Sequence, residues 1–251
     1  MGLTMLINTV LMFLRELLPL FLLLATLLVW HRSQWRRFIL LFSLPAILML
    51  TLFSSNMLWI SEQLDGFGLE LLYSLLYTGC FALLCVASAK RNAAMVLSAF
   101  ACACLLSING SNLLLYIWLP TQGNTDPSAL LLGMALGVGI GSSIAVLWYY
   151  LLTELKQWRM LSYRLLLSLL GVRQLMMASA LLIQSDWLPA GPQLWQTGQW
   201  LPEQSELGFF LQALLGYEAT PVLSQGFIYI AGLGLLLWCS RNLKNNIRSA
   251  Q

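Results

Sequence analysis

The sequence predicts an all-α polytopic membrane protein with seven transmembrane helices, which form a single membrane domain over residues 1–251. Hydrophobic residues make up 59% of the chain and charged residues only 9%, whereas about a quarter of an ordinary soluble domain is charged. Mean hydropathy is +0.77, which indicates the same class. Seven apolar segments approach or exceed the roughly 20 residues that a helix needs to cross a bilayer. They cover residues 5–30, 38–60, 69–89, 93–119, 129–153, 163–184 and 222–240.

The first segment carries two charges at its centre, Arg15 and Glu16. It is too long and too charged for a cleavable signal peptide, so we expect it to remain as a span. A charge at this depth costs roughly 2.5 to 3.5 kcal/mol on insertion scales, so it should face a protein interior or an aqueous path. Pro19 lacks the N–H that would bond the Arg15 carbonyl, which leaves an oxygen beside the Glu16 carboxylate. The pair suits a cation path, or alternatively anchors helix packing.

The basic residues predict the orientation in the membrane. Of the 13 Lys and Arg residues, only Arg15 and Arg173 fall deep inside spans. The others lie in alternate loops or the tail: Arg32, Arg36, Arg37, Lys90, Arg91, Lys156, Arg159, Arg164, Arg241, Lys244 and Arg248. By the positive-inside rule the amino terminus lies outside and the carboxyl terminus in the cytoplasm, as in a multi-pass protein of the cytoplasmic (inner) membrane. The basic loops would meet anionic lipid headgroups, so membrane lipid rather than nucleic acid is the expected partner.

The fourth segment contains a polar insertion, Ser107 to Asn112, at about the depth of Arg15 and Glu16 in the first. The first and fourth segments would be corresponding members of two groups of three helices, with one helix left over. This suggests an inverted 3+3 repeat plus one span, as in many transporters. Asn109 and Asn112 are three residues apart and share a helix face. They could coordinate a cation through their amide oxygens, or they could hydrogen-bond neighbouring helices.

The fifth and sixth segments predict two further contacts. Gly133, Gly137 and Gly141 are spaced four apart, which allows a neighbouring helix to approach closely. Arg173 lies near the centre of the sixth segment, and Glu16 is the intramembrane acid available to neutralise it. We therefore expect a Glu16–Arg173 ion pair.

The outer loop and amphipathic helix cover residues 185–221, before the last span. The tryptophans of the loop suit an interfacial lid. Pro202 suits the first turn of a helix, Glu203 and Glu206 suit its amino-terminal dipole, and Gly216 suits its end. The apolar residues of this helix form one stripe, which predicts an amphipathic helix lying on or dipping into the outer leaflet. The stripe comprises Leu207, Phe210, Leu211 and Leu214. The outer loops hold acids and no Lys or Arg, which gives a negative rim.

Most of the chain resembles the oxidase-dependent iron permeases, the iron/lead transporter family that includes the bacterial ferrous and ferric iron permeases. The resemblance is strongest in Leu194-Trp195-Gln196-Thr197, Glu206-Leu207-Gly208, Ala213-Leu214-Leu215-Gly216-Tyr217, Pro221 and Gln225. It implies a seven-helix protein that moves iron inward beside an extracytoplasmic oxidase or iron-binding protein. It also implies two intramembrane Arg-Glu-x-x-Glu motifs, in the first and fourth helices.

Both motifs are degenerate in this chain. The first reads Arg15-Glu16-Leu17-Leu18-Pro19 and the second Ile108-Asn109-Gly110-Ser111-Asn112, so three of the four implied glutamates are replaced. The resemblance implies iron or other divalent-cation uptake through a path near Glu16, Asn109 and Asn112, which would be the metal ligands. Iron would be the substrate, and no cofactor is expected.

Two other functions remain open. The chain could be a non-conducting paralogue that serves as subunit or docking partner of an iron-uptake complex, beside a second permease subunit. Alternatively, Arg15 and Arg173 could face one cavity that admits an anion or a neutral solute. Enzymatic activity is not expected, because the sequence has no nucleophile–base set, haem ligand pair or phosphate-binding loop.

Overall fold

The computed structural model describes residues 2–90, 92–118, 127–203 and 205–241, which fold into eight α-helices and no strand. The helices are α1 (Gly2–Trp30), α2 (Trp35–Ser61), α3 (Gly68–Ala89), α4 (Ala94–Trp118), α5 (Pro127–Trp158), α6 (Met160–Gln184), α7 (Glu206–Leu215) and α8 (Leu223–Cys239). The predicted all-α class is confirmed. Arg91, Lys244 and Arg248 lie outside the described residues, as does Asp126, one of the acids of the outer loops.

Six of these helices, α1 to α6, are long and apolar enough to cross a membrane. The segment expected as a seventh span is α8, which has 17 residues and is therefore about 26 Å long at 1.5 Å per residue. The six helices differ in the share of their most apolar stretch that is buried within the bundle. In α4, 72% of the most apolar stretch is buried, against 11% in α2 and 17% in α5. The bundle is therefore built around α4, and α2 and α5 present their apolar faces outward.

The predicted glycine seam is present where α5 packs along α1. A Cβ on Gly133 would lie 2.7 Å from Thr9 Cβ, and one on Gly137 would lie 2.6 Å from Phe13 Cβ. At Gly141 it would lie 2.9 Å from the ring of Phe21. Real Cβ atoms do not approach so closely, so these positions admit only glycine at this helix separation.

Side-chain donors of α5 and α6 bond residues near the carboxyl-terminal end of α1. Lys156 Nζ donates to the Val29 carbonyl at 2.9 Å, and Tyr163 Oη donates to the Thr26 carbonyl at 2.9 Å. Trp148 Nε1 donates to Thr26 Oγ1 at 3.0 Å. The Val29 carbonyl belongs to the last turn of α1, where carbonyls lack an intrahelical partner, so the bond from Lys156 stabilises the end of this helix.

His31 follows α1 at the same end of the bundle. Its ring stacks on Trp30 and on Phe38, with centroid distances of 5.0 and 5.4 Å, and its Nε2 lies 3.0 Å from Ser98 Oγ. Burial, and then the charge of Lys156, lower the pKa of His31 from 6.5 to about 4. The folded protein therefore holds this imidazole neutral at physiological pH.

The helix predicted in the outer loop differs in its start and its packing. It begins at Glu206, and Ser205 is its cap, with Oγ accepting from Gly208 N at 3.0 Å. Pro202 therefore precedes the helix, and the Glu203 carboxylate accepts from Ala219 N at 2.7 Å instead of meeting the helix dipole. Serine is a stronger cap than proline is a start signal, which explains the shift. The Glu206 side chain lies outside the described part of the chain.

Part of the apolar stripe of α7 faces the bundle. Leu214 is buried and Phe210 packs against the core, whereas Leu207 is 68% exposed. The helix contacts both α1 and α6. Gly216, with φ +71°, ends it as predicted.

We predict that Gly137→Leu destabilises the bundle by about 1 to 3 kcal/mol or more, because the new side chain would overlap Phe13. Thermal unfolding of the purified protein in detergent measures this. Gly139→Leu is the matched control in the same helix, since a Cβ there meets nothing within 4 Å. Equal destabilisation by both variants would contradict the seam.

We also predict that acidification destabilises the protein through His31. The unfolded chain binds a proton near pH 6.5, whereas the folded chain binds it only near pH 4. The contribution of His31 to the free energy of unfolding is therefore fully present above pH 6.5. It falls by about 2 kcal/mol between pH 6.5 and 5. Unfolding midpoints at these two pH values should differ in the wild type and differ less in His31→Gln. An unchanged pH dependence in the variant would refute this role.

Candidate functional site

A polar cavity of about 270 Å³ lies among α1, α3, α4, α6 and α7. All five residues predicted for the transport path line it: Arg15, Glu16, Asn109, Asn112 and Arg173. Four polar residues that the sequence analysis did not single out line it as well: Tyr73, Tyr77, Gln184 and Gln212. The structure therefore brings the polar insertions of the first and fourth segments to one place.

A hydrogen bond joins the two insertions directly. Asn112 Nδ2 on α4 donates to Glu16 Oε2 on α1 at 3.2 Å. A second bond between the same helices lies nearby along α1, where Thr9 Oγ1 and Tyr116 Oη are 3.0 Å apart. Lipid offers no hydrogen-bond partners, so polar side chains within the bundle need partners inside the protein. These two bonds supply such partners.

Two tyrosines of α3 position the two asparagines of α4. Tyr73 Oη donates to Asn112 Oδ1 at 3.2 Å and lies 3.0 Å from Ser111 Oγ. One turn further on, Tyr77 Oη donates to Asn109 Oδ1 at 3.5 Å. The spacing of four between the tyrosines places both on one face of α3. That spacing was the available signal in the sequence, but tyrosine in an apolar run is ordinary.

Arg173 is 5% exposed and is held by α7. Its Nε donates to the Gln212 carbonyl at 3.0 Å, and Nη1 donates to Gln174 Oε1 at 3.3 Å. Gln212 belongs to the last turn of α7, where the helix dipole favours a positive charge. Gln212 contributes its main-chain carbonyl, and a pattern of side chains in the sequence does not reveal such a partner.

The expected Glu16–Arg173 ion pair is not formed in the described residues. Glu16 accepts from Asn112 and Arg173 donates to Gln212 and Gln174, so each charge has neutral partners. Their attraction acts across the cavity. The Arg173 guanidinium bonds the main-chain carbonyl of Gln212, at the end of α7, in place of a carboxylate.

The end of α7 approaches the middle of α6 through Gly216. A Cβ there would lie 3.1 Å from Arg173 Cα and 3.2 Å from Met176 Cβ, and the φ of +71° is itself one that favours glycine. From this contact the cavity extends along α6 to Gln184. Thus α7 forms one wall of the cavity and holds the Arg173 side chain in place beside it.

The loop around α7 is held by hydrogen bonds among residues of the carboxyl-terminal third. Tyr217 Oη lies 2.6 Å from Thr197 Oγ1 and donates to the Leu201 carbonyl at 3.0 Å. Gln225 bonds Glu218 and the Val222 N–H. Burial raises the pKa of Glu218, while the bond from Gln225 opposes that shift. The tryptophan rings of the loop are exposed, Trp200 by 90%.

The charges of the cavity limit what it can hold. Two cationic residues, Arg15 and Arg173, line the cavity with one acidic residue, Glu16, and Arg15 is exposed. Within the described residues no group of three or more His, Cys, Asp or Glu could hold a metal ion. A cation here would have Glu16 as its charged ligand and amide or phenol oxygens as neutral ones.

Comparison with known proteins adds no relative to this description. No family model, no curated protein and no solved structure matches the chain.

Proposed function

We propose that this chain is a divergent member of the iron permease family, which takes up iron or another divalent cation across the cytoplasmic membrane. The observation that carries the proposal is the Asn112–Glu16 hydrogen bond, because it joins the two intramembrane motif positions within one polar cavity. Polar and ionisable groups deep in an apolar bundle are costly, and they mark a solute path by default.

We infer seven spans with the amino terminus outside and the carboxyl terminus in the cytoplasm, α8 being the seventh. Support for α8 comes from its packing along α6: a Cβ on Gly232 would lie 2.7 Å from Leu175, and Arg164 donates to the Leu237 carbonyl at 2.8 Å. Support for an inverted repeat comes from reciprocal packing, since α1 lies mainly on α5 while α4 lies mainly on α2.

In this proposal Glu16 is the charged ligand and Asn109 and Asn112 are neutral ones. A cation that binds Glu16 Oε2 would displace Asn112 Nδ2, because the amide donates to that oxygen. An extracytoplasmic oxidase or iron-binding protein would deliver the metal at the loop end of the cavity. The acids of the outer loops would raise the local concentration of cations there.

The alternative is a non-conducting paralogue, a subunit or docking partner of an iron-uptake complex. A specific observation favours it: the cavity holds two cationic side chains and one anionic one, and an excess of positive charge repels a bare iron cation. Stable co-purification with a second permease subunit, together with no transport by the isolated chain, would support this alternative.

We predict that the purified protein in liposomes takes up Fe²⁺ under a gradient and that Glu16→Gln reduces the rate at least about tenfold, because a neutral amide binds hard cations poorly. A fluorescent chelator inside the vesicles measures the uptake. Glu154→Gln is the matched control, since Glu154 is exposed on α5 and does not line the cavity. No uptake by the wild type, or equal uptake by Glu16→Gln, would refute conduction through this site.

We further predict that Asn109→Glu with Asn112→Glu increases Fe²⁺ uptake in the same assay. The two new carboxylates would face Glu16 and reverse the charge balance of the cavity. Comparison of initial rates with the wild type provides the measurement, and Asn56→Glu on the exposed part of α2 controls for added charge. A rate no higher than that of the Asn56 variant would argue against a cation path here.

A further inference from the structure

We propose that the cavity binds a small carboxylate monoanion between Arg173 and Asn109. The inference goes beyond cation uptake, because it concerns donors that no cation could use. It stands on a buried amide without a partner, a guanidinium with an uncommitted nitrogen, and the net charge of the cavity.

The first donor is Asn109. Its side chain is 2% exposed, lines the cavity, and receives the Tyr77 hydroxyl on Oδ1 at 3.5 Å. That contact turns the amide so that Nδ2 is the remaining group, and Nδ2 has no hydrogen-bond partner. Buried amide donors are almost always paired in folded proteins, so this one requires an acceptor.

The second donor is Arg173. Bonds to Gln212 and Gln174 use Nε and Nη1, and these bonds fix the plane of the guanidinium. Among the described residues Nη2 donates to none, and the side chain lines the cavity. A planar guanidinium presents its N–H groups to a carboxylate in matched geometry.

Charge selects the class of anion. Arg15 and Arg173 contribute two positive charges and Glu16 one negative charge, so the cavity has one positive charge in excess. A monoanion neutralises it, whereas a dianion such as phosphate would leave a negative charge beside Glu16. A carboxylate also offers two oxygens, one for Arg173 and one for Asn109, which a spherical halide does not. The volume of about 270 Å³ accommodates an acid of acetate size or larger.

The test is isothermal titration calorimetry of the full chain in detergent, without metal, using sodium acetate at constant ionic strength. We expect saturable acetate binding, and weaker or no binding of sodium phosphate. Asn109→Ala should weaken acetate about tenfold or more, since a hydrogen bond to a charged group is lost. Asn56→Ala is the matched control, because Asn56 is exposed on α2 away from the cavity.

Arg173→Lys should weaken acetate as well, because it keeps the charge and loses the planar fork. Arg173 also holds α7, so the Asn109 variant is decisive if the Arg173 variant unfolds below the temperature of the titration. No acetate binding by the wild type, tighter binding of phosphate than acetate, or equal acetate affinity in Asn109→Ala would each overturn the proposal. Iron uptake is measured separately, so failure of either result leaves the other readable.

Discussion

The bond between the Arg173 guanidinium and the Gln212 carbonyl is the interaction on which the cavity depends. A guanidinium at the middle of an apolar helix has no water to bind, so its N–H groups must find acceptors within the protein. Here the last turn of α7 supplies one acceptor and its dipole. That requirement brings α7 against α6, encloses the polar cavity between α7 and α4, and keeps Arg173 at a distance from Glu16.

The cavity is arranged as a layered set of donors and acceptors. Tyrosines of α3 bond the asparagines of α4, and one of these asparagines bonds Glu16 of α1. Each bond fixes the orientation of the next side chain, because an amide has separate donor and acceptor ends. The ordering leaves one buried donor, Asn109 Nδ2, without a partner in a residue that lines the cavity together with Arg15 and Arg173.

The sequence was sufficient to predict the helical class and to single out five of the residues that line the cavity, since charges and amides are rare within apolar segments. The predicted span 129–153 lies within α5, and the helix continues to Trp158 because the polar residues beyond the apolar run have no helix-breaking effect. The prediction paired Arg173 with Glu16 because it counted side-chain acids, and main-chain carbonyls such as that of Gln212 are invisible to such a count. Tyr73 and Tyr77 were missed because their role depends on which helix lies opposite.

The seam of Gly133, Gly137 and Gly141 also bears on how the helices of the bundle could separate. Because the two helices approach closely along the seam, α5 cannot slide on α1 without steric overlap. Glu16 lies on α1, whereas Asn109 and Asn112 lie on α4. The hydrogen bonds Glu16–Asn112 and Thr9–Tyr116 join these two helices. Any separation of α1 from α4 would have to break both bonds, so the bonds that order one side of the cavity would also resist its opening.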